Sequence, residues 1–174
     1  TDSRLIDLEK AAESQTYCDE FKGKINSYGL EITELSTHIQ GQLVAVHPAH
    51  DIMFDAFAPK HLKGNYKGRT EWAIQQMKYA ASASNRLGLK AHATFSGSLL
   101  WPMMHPWPQQ PKGLIELGFK ELADRWKPIL NTFQDNGVAV CYEVHPVEDI
   151  HDGDTFERLK LSLNKIEKYT GVEE

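Results

Sequence analysis

The chain has 174 residues, 41% of them apolar and 25% charged, with a net charge of −5 and a pI near 5.9. That is an ordinary globular composition and enough chain for one domain with a real core. No basic block stands out, no apolar run approaches a membrane span and no signal-peptide pattern opens the sequence, so neither nucleic acid nor a membrane is an expected partner.

The first residue is Thr1 and a helical pattern begins directly at a capping Ser3, which reads as a piece of something longer. Residues 3–14 carry Leu5, Ile6 and Leu8 and then Ala-rich helix formers. Residues 16–28 continue as an amphipathic helix with Tyr17, Phe21, Ile25 and Tyr28 on one face. Gly29 ends it as a left-handed cap, and a strand is expected over 30–37. A loop of about thirty residues follows, 38–69, too apolar for disorder (Val44, Val46, Met53, Phe54, Phe57) and so an ordered cover over something. Thr70 is the expected cap of a helix over 71–87, Gly88 its end, and 89–96 the second strand.

A stiff loop then carries Trp101-Pro102 and Pro106-Trp107-Pro108. Residues 113–136 predict a third long helix with a kink at Pro128, Gly137 its end and 138–145 the third strand. Asp154, with Glu157 three residues on, predicts a capping box for the last helix, whose apolar stripe is Phe156, Leu159, Leu163 and Ile166 and whose stop is Gly171. Cys18 falls in a helix and Cys141 in a strand, with no metal spacing between them. They read as two reduced thiols of a cytoplasmic protein.

An αβαβαβα order without hairpin signals means parallel strands joined by crossover helices. The returns through Gly29, Gly88 and Gly137 are short and the loops at the strand C-terminal ends are long, so a site is expected at those ends. Counting from each Gly, odd offsets are mostly apolar and should pack under helices: Leu89, Ala91, Ala93 and Phe95, then Val138, Val140, Tyr142 and Val144. Even offsets are small or polar: Thr33, Leu35 and Thr37, then His92, Thr94 and Ser96, then Cys141, Glu143 and His145. A polar alternate face fits a barrel lumen better than an open doubly wound sheet, so these should point inward. Glu143 would be costly to desolvate there alone, and either a metal ion or an inward Lys or Arg would neutralise it.

At these residues the chain resembles the sugar phosphate isomerase/epimerase family, with its xylose isomerase-like TIM barrel. The stretches that carry the resemblance are 35–43 (Leu-Ser-Thr-His-Ile-Gln-Gly-Gln-Leu), 89–97 (Leu-Lys-Ala-His-Ala-Thr-Phe-Ser-Gly), the Trp-Pro loop, and Cys141-Tyr142-Glu143-Val144-His145-Pro146 followed by His151-Asp152-Gly153. The resemblance covers roughly residues 16–168. It implies a divalent metal (Mn, Mg, Co or Zn) at the barrel mouth, with Glu143 as one ligand and also as a carboxylate that moves a proton next to a carbonyl through an enediolate. The substrate would be a sugar or sugar phosphate, with His38, His92, Ser96, Trp101, His145 and Glu148 on its side of the barrel.

A complete barrel needs eight βα units and about 250 residues. Three strands are expected here, so the chain reads as one partial α/β barrel domain over 1–174 that lacks the later metal ligands, has open sheet edges and is prone to pair with another copy. The alternatives are an apurinic endonuclease-like phosphodiesterase on the same barrel, which would need a His-rich zinc site and a basic face, and a sugar-binding remnant without catalysis. His47, His50 and His61, spaced three and eleven apart, match no strong ligand pattern.

Overall fold

A computed structural model of the protein describes residues 5–104 and 110–169. The expected Ser3 cap, the Pro106-Trp107-Pro108 segment and the Gly171 stop lie outside the described residues. Two short helices open the chain, α1 (Leu8–Glu13) and α2 (Gln15–Asn26). Asp7 caps the first, accepting from the Lys10 N–H, and Ser14 caps the second, accepting from the Tyr17 N–H. Then come β1 (Leu35–Ser36), α3 (His38–Gln42), α4 (Asp51–Phe54), α5 (Tyr66–Arg86), β2 (Ala91–Thr94), α6 (Leu114–Asp135), β3 (Ala139–Tyr142) and α7 (Gly153–Tyr169).

The three strands are parallel and lie in the order β1-β2-β3, an open sheet and a partial barrel. β1 is shorter than the expected 30–37 because its register with β2 is limited to Leu35 against His92 and Ser36 against Ala93. Gly29, Gly88 and Gly137 all have positive φ (71°, 80° and 65°), the left-handed exits expected of them.

Two helix starts differ from expectation. Asn65 caps α5 by accepting from the Gly68 N–H, five residues before the cap the sequence predicts at Thr70. Asp152 caps α7 by accepting from the Thr155 N–H, which leaves Asp154 in the first turn, where it pairs with Arg158.

The core lies between the sheet and the long helices. α5 brings an alanine-rich face (Ala73, Ala80, Ala81 and Ala83, with Met77), which lets its backbone approach closely, while α6 brings Phe119, Leu122, Trp126, Ile129 and Phe133. These side chains are buried almost completely, and the large aromatic and branched groups dominate the apolar area removed from water.

The long segment after β1 is ordered, as its composition predicts. Arg69, fully buried at the start of α5, reaches back to it. Its guanidinium donates to the Asp51 carbonyl (2.7 Å), to the Asp55 carboxylate (3.0 Å) and to the Asp51 carboxylate, and lies over the Tyr66 ring.

The registers decide which side chains share a face. Ala91 pairs with Ala139, His92 with Val140, Ala93 with Cys141 and Thr94 with Tyr142. One face therefore carries Leu35, His92, Thr94, Val140 and Tyr142, and it meets the helices. The other carries Ser36, Ala91, Ala93, Ala139 and Cys141, and it is open. This corrects the inward placement of the even set for β1 and β2, although that placement holds for β3. The strand begins one residue later relative to Gly88 than it does relative to Gly137, and a one-residue slip turns every side chain over.

Candidate functional site

The parallel ladder runs on beyond the strands. Thr37 N–H donates to the Ala93 carbonyl (3.0 Å) and Glu143 N–H to the Thr94 carbonyl (2.9 Å). The alternation is thereby carried one residue further, and His38, Phe95 and Glu143 stand side by side on the open face at the C-terminal strand ends. His38 Nε2 lies 2.8 Å from Glu143 Oε2, in close approach but without the alignment of a hydrogen bond. The His38 ring packs on Phe95 at 4.5 Å between centroids, and Phe95 packs on His145 at 4.9 Å. His145 Nδ1 is 2.6 Å from the Pro146 carbonyl. The Glu143 side chain is 48% exposed, so water rather than an internal Lys or Arg meets its remaining surface.

Above this row the three strand-end loops are laced together. Ser98 N–H donates to the Ala45 carbonyl (2.7 Å) and His47 N–H to the Ser98 carbonyl (3.1 Å). Gly97, at φ 106°, permits this approach, since a Cβ there would sit 2.6 Å from the Ala45 oxygen. The third loop enters through two adjacent buried carboxylates. Glu148 accepts from Gly97 N–H (2.7 Å). Asp149 accepts from Leu99, Leu100 and Trp101 N–H (2.8, 2.7 and 2.8 Å). Burial pushes Glu148 up to about 7 and Asp149 up to about 6, against the opposing pull of those N–H donors. The backbone at Val147 turns them inward at φ 71°, an uncommon conformation for a β-branched residue.

Of the residues expected around the substrate, Glu143, His38 and His145 come together on the open face. Trp101 stands at the rim, its ring edge-on to His151 at 5.0 Å. His92, Ser96 and Glu148 do not face this side. His92 is fully buried against α5, between Thr37 Oγ1 (2.7 Å) and Ser84 Oγ (3.0 Å), with its ring on Phe133, and burial lowers it to about 3, so it stays neutral. Ser96 is buried, its hydroxyl accepting from Ile150 N–H and its carbonyl from Trp126 Nε1. Glu148 is 2% exposed and occupied with Gly97.

The reading of the sequence overlooked Phe95 and the looping role of Asp149. A signal for the first was present in β3, where the bulky residues Val138, Val140 and Tyr142 identify the buried set and the small Ala139 and Cys141 the open one. Asp149 acts on backbone N–H groups, which leave no mark in the sequence.

The whole chain from residue 3 to residue 171 matches the model of a family described as xylose isomerase-like TIM barrel. The chain belongs to that family. Xylose isomerase-like barrels include sugar isomerases and epimerases as well as endonuclease-like members. Among solved structures, a xylose isomerase domain protein from Planctomyces limnophilus is similar at 16% identity and a TM-score of 0.50, over 90% of this chain and 54% of that one. This chain thus spans about half the length of that relative, and the likeness is one of fold. No curated protein matches.

The resemblance implies a metal, and the residues can be tested for it. Among the described residues no group of three or more His, Cys, Asp or Glu side chains converges to hold a metal ion. Glu143 offers one carboxylate, and its near neighbour His38 turns Nε2 toward that carboxylate rather than toward a common centre. The described residues therefore assemble no complete metal centre. No described helix is long and apolar enough to cross a membrane, and Cys18 and Cys141 are both free.

Proposed function

We propose that this chain forms one wall of a sugar isomerase or epimerase site in which Glu143 moves a proton on the carbon next to a carbonyl. The observation that carries the reading is the Glu143–His38 pair, 2.8 Å apart at the C-terminal strand ends and open on one side. The ionised carboxylate takes the proton from the carbon, and the carbonyl oxygen takes up the electron pair as an enediol forms. Return of a proton to the other face of the same carbon gives an epimer, and return to the neighbouring carbon exchanges aldose for ketose. His38 flanks the carboxylate, its Nε2 2.8 Å from Oε2. Any divalent ion at this position would take Glu143 as one ligand and the rest from beyond the described residues.

The test is deuterium wash-in from D2O at the carbon next to the carbonyl, followed by NMR over a set of aldoses and ketoses with Mn²⁺ present. Exchange in the wild type that falls by at least about a hundredfold in Glu143→Gln supports the reading, on the usual scale of acid–base contributions. Exchange that survives the substitution overturns it. A Mn²⁺ titration of the chain beside Glu143→Ala separates a site assembled here from one that needs the rest of a barrel.

A further inference from the structure

We infer that a polar cavity between the ends of α5 and α6 and the start of α2 binds a small hydroxylated monocarboxylate. α5 and α6 lead into β2 and β3, so this cavity lies at the N-terminal ends of the strands, at the opposite end of the sheet from Glu143. It is a second site, and its occupancy does not depend on the reading above.

The cavity has a volume of about 280 Å³ and is lined by Gln15, Ser82, Asn85, Arg86 and Asn136. That is the small end of ligand sites, which span roughly 300–1,000 Å³. Every lining side chain is polar, and Arg86 alone among them carries a charge.

The first observation is the state of Arg86. Its Nε donates to the Ala12 carbonyl (2.9 Å), which fixes the guanidinium plane against the turn between α1 and α2. Among the described residues no carboxylate pairs with Arg86, and its two Nη nitrogens have no hydrogen-bond partner. A planar fork held by one N–H with its outer pair open is set for two parallel bonds to a carboxylate.

The second observation is the hydrogen-bond inventory of the walls. The helix-end carbonyls are already taken. The Arg86 carbonyl accepts from Gln15 Nε2 (3.0 Å), that of Asn85 from Gly88 N–H (2.9 Å), and that of Thr132 from Asn136 Nδ2 (2.8 Å). The Ser82 hydroxyl, the Asn85 amide and Asn136 Oδ1 have no partner among the described residues. Hydroxyl and amide groups offer donors and acceptors together, and ligand hydroxyls, which both donate and accept, complement them.

The third observation is the charge balance. A carboxylate brings one negative charge to one guanidinium. The C-terminal ends of α5 and α6 and the Asp19 carboxylate, which Gln15 Nε2 holds at 2.9 Å, are negative neighbours. Helix ends act weakly beside water and do not outweigh a bidentate pair, but they count against the second charge of a phosphate.

The experiment is protein-observed NMR and thermal unfolding of the full chain at constant ionic strength, with D-glycerate, glycerol and inorganic phosphate as probes. Expected are saturable shifts of the Asn85 and Asn136 side-chain amides with glycerate, a Tm that rises with its concentration, and at least tenfold weaker binding of glycerol and of phosphate. Arg86→Gln should weaken glycerate at least tenfold, the loss of a charge-assisted pair. Asn85 is exposed and its amide has no protein partner, so Asn85→Ala should fold normally and weaken glycerate by about fivefold, the loss of one hydrogen bond. Should Arg86→Gln unfold for want of the Ala12 bond, Asn85→Ala and the comparison with glycerol decide. No saturable shift, glycerol or phosphate bound as tightly as glycerate, unchanged affinity in Asn85→Ala, or shifts confined to the Glu143 end of the sheet would each overturn the inference. Glycerate bound here without deuterium wash-in at Glu143 would defeat the isomerase reading alone, and wash-in without glycerate binding would defeat this inference alone.

Discussion

The two faces of the same three strands could hardly be built more differently. Toward the helices, β2 and β3 present His92, Thr94, Val140 and Tyr142 to Met77, Trp126 and Phe133; His92 is held between two hydroxyls and Thr94 donates to the Thr37 carbonyl, while the Tyr142 hydroxyl is buried without a partner. Toward the open side they present Ala91, Ala93, Ala139 and Cys141, and at the strand ends a carboxylate, two imidazoles and a phenyl ring. Polarity does not distinguish the faces, since the buried one holds a histidine, a threonine and a serine. Partnership does so for His92, Thr94 and Ser96, which have protein partners on the helix side, although the buried Tyr142 hydroxyl there has none, and the end groups of the open side keep capacity in reserve.

Substitutions on the two faces should therefore behave as two populations. The largest effect is expected at Trp126, buried and donating to the Ser96 carbonyl. Trp126→Ala should cost roughly 3–5 kcal/mol in urea unfolding. On the open face, Cys141→Ser should stay within about 0.5 kcal/mol. Equal losses at the two positions would break the comparison.

Gly41 tests the seam between the faces. A Cβ there would run into Thr94 Oγ1 and the Phe95 carbonyl, so Gly41→Ala should cost roughly 1–3 kcal/mol and displace His38 from Glu143, visible as a changed His38 ring shift.

Glu148 sharpens the contrast through pH. Its native pKa, about 7, lies above the ordinary value of 4.5. The folded state binds the proton more tightly, so the stability tied to this group is complete below pH 4.5 and is lost as pH rises through 7. Glu148→Gln, still an acceptor for Gly97 N–H, should match the wild type below pH 4.5 and exceed it by up to roughly 3 kcal/mol at pH 8, measured by thermal unfolding. His92 has the opposite sign. It is lowered to about 3 from 6.5, so its contribution is present above 6.5 and is lost as pH falls toward 3. The smallest effect on stability should come from Glu143→Gln, within about 0.5 kcal/mol, since that side chain is half exposed.

Much of this fold was legible in the sequence. The glycines at 29, 88 and 137 mark where helices stop, and the alternation of element types gives parallel strands and a site at their C-terminal ends. That route leads to Glu143, His38 and His145, which the fold brings together on the open face. The assignment of faces failed at β2 because His92, Thr94 and Ser96 look like lumen residues by polarity. Their partners, Thr37, Ser84 and Ile150, come from other parts of the chain and cannot be seen along one strand. The helix starts at Asn65 and Asp152 were missed in favour of Thr70 and Asp154, equally good capping types a few residues on. Only the tertiary setting chooses between such candidates, and Arg69, tied to Asp51 and Asp55, forces the earlier start of α5.

That arginine also bears on how a ligand would be received. The segment between β1 and α5 has no strand ladder, yet one buried guanidinium joins its middle to the helix that follows. Fixing a residue's backbone costs about 1–2 kcal/mol of conformational entropy. With Arg69 in place, that loss falls on folding, before any ligand arrives. A sugar meeting these strand ends would find a rim already in shape, and its binding would not be weakened by having to order the longest loop of the chain.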